Sequence, residues 1–132
     1  MGVTSIIPHP SPSHPNVIFT GSYDEHFRIF DIRKPATPIF EEILLPGGGV
    51  WKLKIKPNNN HQNRGDSSYR LLAACMHAGV TYMDVDSNLN VLKSNVAYKE
   101  HESFVYGVDW HSSGNVGASC AFEDNSVHIW RV

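Results

Sequence analysis

One short pattern occurs three times along this chain. Val3-Thr-Ser-Ile-Ile-Pro-His-Pro10, Val50-Trp-Lys-Leu-Lys-Ile-Lys-Pro57 and Val105-Tyr-Gly-Val-Asp-Trp-His-Ser112 each alternate in polarity and run into a Pro or Ser turn. Alternation of that kind sends successive side chains to opposite faces of a strand. A second run follows each one, at residues 17–22, 71–75 and 116–120, and is rich in the small residues that let one sheet approach another. After a polar turn comes a third, Phe27-Arg-Ile-Phe-Asp31, Val80-Thr-Tyr-Met-Asp84 and Val127-His-Ile-Trp-Arg131. Fourth strands are expected at residues 38–45 and 89–93, with none after the third set. No segment holds a long apolar stripe at helical spacing.

An all-β chain whose strand pattern returns at roughly 50-residue intervals reads as propeller blades, and a sandwich would not require the return. The expected architecture is about three four-stranded WD-type blades in an incomplete propeller, with blade one at residues 1–46, blade two at 47–98 and an incomplete blade three at 99–132. Propellers close with about four to eight blades, so closure calls for missing blades or a partner chain. A hydrophobic content of 41% against 18% charged residues fits a packed domain. A net charge of −2 gives no electrostatic reason to expect nucleic acid or an anionic membrane surface as partner. No apolar run reaches the length of a membrane span, no secretory signal is visible, and two cysteines are too few for a disulfide framework. A reducing, cytoplasmic setting is expected.

The phrase Thr20-Gly-Ser-Tyr-Asp-Glu-His-Phe-Arg-Ile-Phe-Asp31 resembles the second half of a WD repeat, with Phe-Asp for Trp-Asp. In that family a turn Asp ties the blade together by hydrogen bonds, and Asp24 matches it. His101 resembles the family's Gly-His position, with Glu100 in place of the Gly. Blade two departs most, because His77 stands at the turn-Asp position and Met83-Asp84 replaces Trp-Asp, so that blade is expected to lack the polar tetrad. A narrower resemblance rests on Gly21-Ser-Tyr-Asp-Glu25, Gly47-Gly-Gly-Val-Trp-Lys-Leu-Lys54, Leu71-Leu-Ala-Ala-Cys-Met-His77, Val105-Tyr-Gly-Val-Asp-Trp110 and Ser119-Cys-Ala-Phe-Glu-Asp124. In that order these are similar to the C-terminal blades of the diphthine methyl ester hydrolases, WD-repeat enzymes of diphthamide synthesis. The resemblance implies removal of a methyl group from the modified histidine of translation elongation factor two, with that factor as protein substrate and no cofactor.

Ester hydrolysis needs an activated nucleophile, a general base and donors for a developing oxyanion. In a propeller the lead-ins to first strands and the turns between second and third strands open on one face. That places Gly47, Gly48 and Gly49, Met76 and His77, and Tyr23 and Asp24 near one another. His77 is the candidate base, since histidine titrates near neutrality, and Asp24 is its candidate orienting partner. Tyr23, Gly48, Gly49, Met76, Trp51 and Tyr106 are the candidate substrate-binding residues. Each has a structural reading beside it. His77 can be a plain surface turn, Asp24 a blade tie, and Trp51 and Tyr106 packing between blades.

Other signals carry less. The eight histidines show no zinc-ligand spacing, so no metal is expected. His9 and His14 flank prolines and read as solvated. Cys75 and Cys120 read as buried, inert thiols. Arg64-Gly65-Asp66 lies in a polar stretch, residues 58–68, expected to be a long first-to-second-strand loop. The chain by itself is expected to be inactive.

Overall fold

A computed structural model describes residues 2–57 and 68–132, which leaves all but one residue of the polar stretch and its Arg-Gly-Asp outside the described residues. Eleven strands and no helix are found among them. They form three antiparallel sheets, each a meander in which a strand pairs with its neighbours in sequence. The first sheet holds β1 (Val3–Pro8), β2 (Val17–Ser22), β3 (His26–Asp31) and β4 (Phe40–Ile43). The second holds β5 (Lys52–Ile55), β6 (Tyr69–Ala74), β7 (Val80–Val85) and β8 (Val91–Tyr98). The third holds β9 (Val105–Trp110), β10 (Val116–Ala121) and β11 (Val127–Arg131). These are WD-type blades, and three of them do not close a ring.

Strand ends follow from hydrogen bonding. β1 stops at Pro8, which has no N–H to give. β5 starts later than the sequence pattern because Val50 turns its N–H to Ser22 O of the first blade, at 2.9 Å. β4 ends at Ile43, and the next N–H, that of Leu44, bonds Glu25 O in the turn before β3. β8 runs to Tyr98, well past the expected residues 89–93, because Ala97 and Tyr98 pack against the core between the second and third blades.

The core lies between blades. One cluster joins Phe19, Phe27 and Ile29 of the first blade to Val50, Leu53, Leu71 and Met83 of the second, all at most 1% exposed. The other joins Leu72, Ala74 and Val80 of the second to Val105, Val108, Trp110 and Trp130 of the third. Burial of each large side chain contributes about 1.5–3 kcal/mol, so blade-to-blade packing is the main source of stability. Gly21 makes the first joint possible, since a Cβ there would lie 2.4 Å from Val50 Cγ1. Polar groups fix the register of the joint. Thr4 Oγ1 donates to Val50 O, and the Leu53 N–H donates to Ser5 Oγ at 3.1 Å.

Two expectations are corrected. His9 is not solvated: it is 7% exposed, with its ring 5.2 Å from Phe19 and 5.0 Å from Tyr69 of the second blade. Burial, then the neighbouring His14, lowers its pKa. The proline-flanked loop folds back over the blade joint, which local sequence does not reveal. Cys75 is buried as expected, but Cys120 is exposed, because no blade covers the outer face of β10 among the described residues.

Candidate functional site

Counting back three residues from the first apolar position of each third strand, Phe27, Val80 and Val127, gives Asp24, His77 and Asp124. These equivalent turn positions do three different things. Asp24 accepts two hydrogen bonds from Arg28, at 3.1 and 2.8 Å, and one from the His26 N–H. Chiefly through Arg28, its carboxyl is held well below the usual carboxylate range. Arg28 also bonds Glu41, so the turn, β3 and β4 are tied together. Asp24 is therefore a blade tie, and no bond joins it to His77 among the described residues; the expected orienting contact is not formed.

Asp124 ends a buried chain in the third blade. His101 Nδ1 lies 3.0 Å from Asp124 Oδ2 and its Nε2 lies 2.8 Å from Ser119 Oγ, which also accepts from Trp130 Nε1 at 3.0 Å. The Ser126 hydroxyl first, and His101 after it, hold Asp124 down to about 2. Asp, His and Ser stand here in the order of a hydrolase relay. They cannot act as one on a substrate: the His101 side chain is 1% exposed, Ser119 is 2% exposed, and Trp130 seals the serine. Sequence reasoning marked His101 and the Ser119–Asp124 segment without joining them. The signal that joins them is Trp130, the one Trp at the end of a third strand.

His77 differs from both. Its side chain is exposed, and its ring packs edge-on against Phe104 at 4.0 Å. In the second blade the tie is made elsewhere, by a bidentate Arg70–Asp84 pair at 2.7 Å with the guanidinium over Tyr82.

The lead-in to β5 brings several expected residues together. Gly49 lies against two turns at once: a Cβ there would meet Tyr23 O at 2.8 Å and Met76 Sδ at 3.2 Å. Gly48 lies over the second-blade turn, where a Cβ would be 2.2 Å from Cys75 O. Gly48 gives its N–H to Leu45 O, whereas the buried Gly49 N–H has no partner among the described residues. Met76 takes a left-handed φ of 41° and its carbonyl accepts the Val105 N–H at 3.0 Å, which carries the second-blade turn to the lead-in of β9. Trp51 and Tyr106 meet at 5.0 Å. Tyr23, Gly48, Gly49, Met76 and His77 thus share one end of the blades, and the Trp51–Tyr106 pair adjoins it through Phe104, which touches both His77 and Tyr106. The face offers an exposed imidazole and aromatic walls, with the buried Gly49 close behind them. Cys75 adds no nucleophile, since burial pushes its thiol up to about 12.

Comparison with known proteins places the chain among WD repeats. The WD domain, G-beta repeat family matches residues 92–131, the stretch that contains the buried His101–Ser119–Asp124–Trp130 chain. Along nearly its whole length the chain is similar to diphthine methyltransferase of Saccharomyces cerevisiae, with 34% identity over 99% of this chain and 37% of that protein. It is 36% identical to the diphthine methyltransferase homolog of Dictyostelium discoideum over 98% of this chain and 35% of that protein. Against diphthine methyltransferase of Homo sapiens the identity is 34% over 83% of this chain and 22% of that protein. The chain therefore spans between a fifth and two fifths of the length of these curated relatives.

Proposed function

From the premise that this is a WD-repeat chain homologous along its length to part of the diphthine methyltransferases, we propose that it supplies part of the substrate face of a methyl ester hydrolase. The reaction belongs to diphthamide synthesis, and the substrate is the modified histidine of translation elongation factor two in the cytoplasm. The observation that carries this reading is identity of 32–36% over 98–99% of the chain to relatives named for diphthine. The blade face supports it.

In this reading His77 takes a proton from water as the water oxygen adds to the ester carbonyl carbon. The Gly49 N–H donates to the oxygen that becomes negative. The bond to the methoxy group then breaks, the proton returns to it, and methanol leaves a free carboxylate. Tyr23 and Met76 flank the donor, and Trp51 and Tyr106 wall the approach.

The same face would serve a non-catalytic WD scaffold. One observation favours that second reading: no carboxylate is bonded to His77 among the described residues. Labelled methanol released from the methyl ester of diphthine on elongation factor two separates the two. The expected result is release by the intact polypeptide that carries this chain, none by the 132 residues alone, and loss of about a hundredfold in a folded His77→Ala variant. No release by a folded intact polypeptide would leave the scaffold reading.

A further inference from the structure

The loop that joins β1 to β2, residues 9–16, carries prolines at positions 10, 12 and 15. A proline has no N–H to give, so the loop is held by the polar groups left between them. His9 is the anchor. Its N–H donates to Val17 O at 2.9 Å, and its Nδ1 accepts the Ser11 N–H at 3.0 Å. The rest of the loop closes on itself, the His14 N–H on Ser11 O and the Val17 N–H on His14 O. His9 is 7% exposed, and its ring meets Phe19 of β2 on one side and Tyr69 of β6 on the other. One imidazole thus touches both blades of the first joint.

Hydrogen bonding fixes the protonation state that this arrangement tolerates. Because Nδ1 accepts, the neutral ring carries its hydrogen on Nε2, and that buried atom has no partner among the described residues. A second proton must go to Nδ1, where it points at the Ser11 N–H and sets two donors against each other. No neighbour offsets the charge. His14 of the same loop lies 4.6 Å away and becomes positive over a similar range of pH. β2 presents Phe19, and β6 presents Tyr69, whose neighbour Arg70 is engaged by Asp84. No carboxylate pairs with His9 among the described residues. Burial first, and His14 after it, lowers the pKa of His9.

The third blade supplies the contrast. His111 repeats the arrangement, with its N–H on Val116 O at 2.8 Å and its Nδ1 accepting the Ser113 N–H at 3.2 Å, but it is exposed. The tie is the same and the burial differs.

We propose that His9 is an acid-released clasp on the joint between the first and second blades, in which gain of one proton frees the loop 9–16 and uncovers Phe19 and Tyr69. The closed form binds that proton less readily than the open one. The clasp is therefore fully closed above the ordinary histidine value of 6.5 and loosens as the pH falls below it. This device is independent of how the substrate face is read.

Hydrogen exchange of the intact polypeptide, followed by mass spectrometry and divided by the intrinsic rate at each pH, tests it. Opening of residues 9–20 is expected to increase about tenfold per pH unit below 6.5, one proton being taken up. His9→Asn keeps an acceptor beside the Ser11 N–H and cannot take up the proton, so its opening should be flat with pH. His111→Asn should leave the native response unchanged. Imidazole NMR of the native polypeptide should show His9 titrating at lower pH than His111, in step with loss of protection at the Ser11 amide. Exchange that stays flat in the native polypeptide, or an acid response that survives in folded His9→Asn, overturns the inference. Where His9→Asn does not fold, the native titration decides, and His9 titrating together with His111 while the loop stays closed overturns it equally.

Discussion

At the scale of single residues, the same turn position is filled by Asp24, His77 and Asp124, and the partner decides the role. Arg28 is four residues from Asp24 on the adjoining strand and takes both carboxylate oxygens, so Asp24 is spent on the blade. His77 has Phe104 for a neighbour and keeps its nitrogens free of any bond among the described residues. The cysteines divide in the same way. Cys75 lies between two blades with its thiol pushed up to about 12, and Cys120 lies on a face of β10 that is exposed. In the native chain an aromatic disulfide reagent at neutral pH should therefore titrate one thiol quickly, and the second only after denaturant is added. A Cys120→Ser variant should remove the fast phase. Two fast thiols would mean that the joint between the first and second blades opens readily.

At the scale of the blade, three ties hold three similar sheets. The first uses Asp24–Arg28–Glu41, the second Arg70–Asp84, and the third the buried chain from Asp124 through His101 and Ser119 to Trp130. Charged forks at a blade rim are partly solvated and screened. The third tie is sealed, and removing a member leaves buried polar atoms unpaired, which costs about 1–3 kcal/mol. The WD family pattern matches residues 92–131, the blade that holds the sealed chain. Asp124 is ordinarily a group of pKa 3.8 and is held at about 2 in the fold, mainly by Ser126. Its contribution is present in full above about pH 4 and is lost as the pH falls toward 2. Urea midpoints should accordingly fall more between pH 5 and pH 2 in the native chain than in Asp124→Asn. Parallel slopes would show that the third blade does not depend on that carboxylate.

At the scale of the molecule, the two blade joints define what an uncovered blade is missing. Each joint packs the first strand of one blade and its lead-in against the first two strands of the blade before it, β5 on β1 and β2 and β9 on β5 and β6. Third-strand residues Phe27 and Ile29 complete the core of one joint and Val80 and Tyr82 that of the other. By register Val127 and Ile129 hold the equivalent third-strand positions, and they are 71% and 76% exposed. On the opposite flank Val3 and Ile6 stand in the first-strand positions, 55% and 64% exposed. Both halves of a blade joint are thus open to water, and each buried aliphatic side chain would contribute about 1.5–3 kcal/mol to closing it. The 132-residue chain should self-associate with rising concentration in sedimentation velocity, and a Val127→Lys, Ile129→Lys double variant should suppress this. Association that survives the double variant would place the sticky surface elsewhere.

Strand identity was legible in the sequence because polarity alternating at period two is a local property. All eleven strands lie on or beside the expected segments, and the exposed position of His77 is written in its substitution for a turn Asp. The convergence of Tyr23, Gly49 and Met76 was also legible, since repeat topology sends those turns to one end. What only the tertiary structure decided were pairings across large sequence separations. Arg28 rather than His77 receives Asp24, His9 folds under Tyr69, Cys120 is left bare, and His101 reaches Ser119 and Asp124. Local pattern sets which face of a strand a side chain occupies. Only the packing of whole blades sets what that face meets.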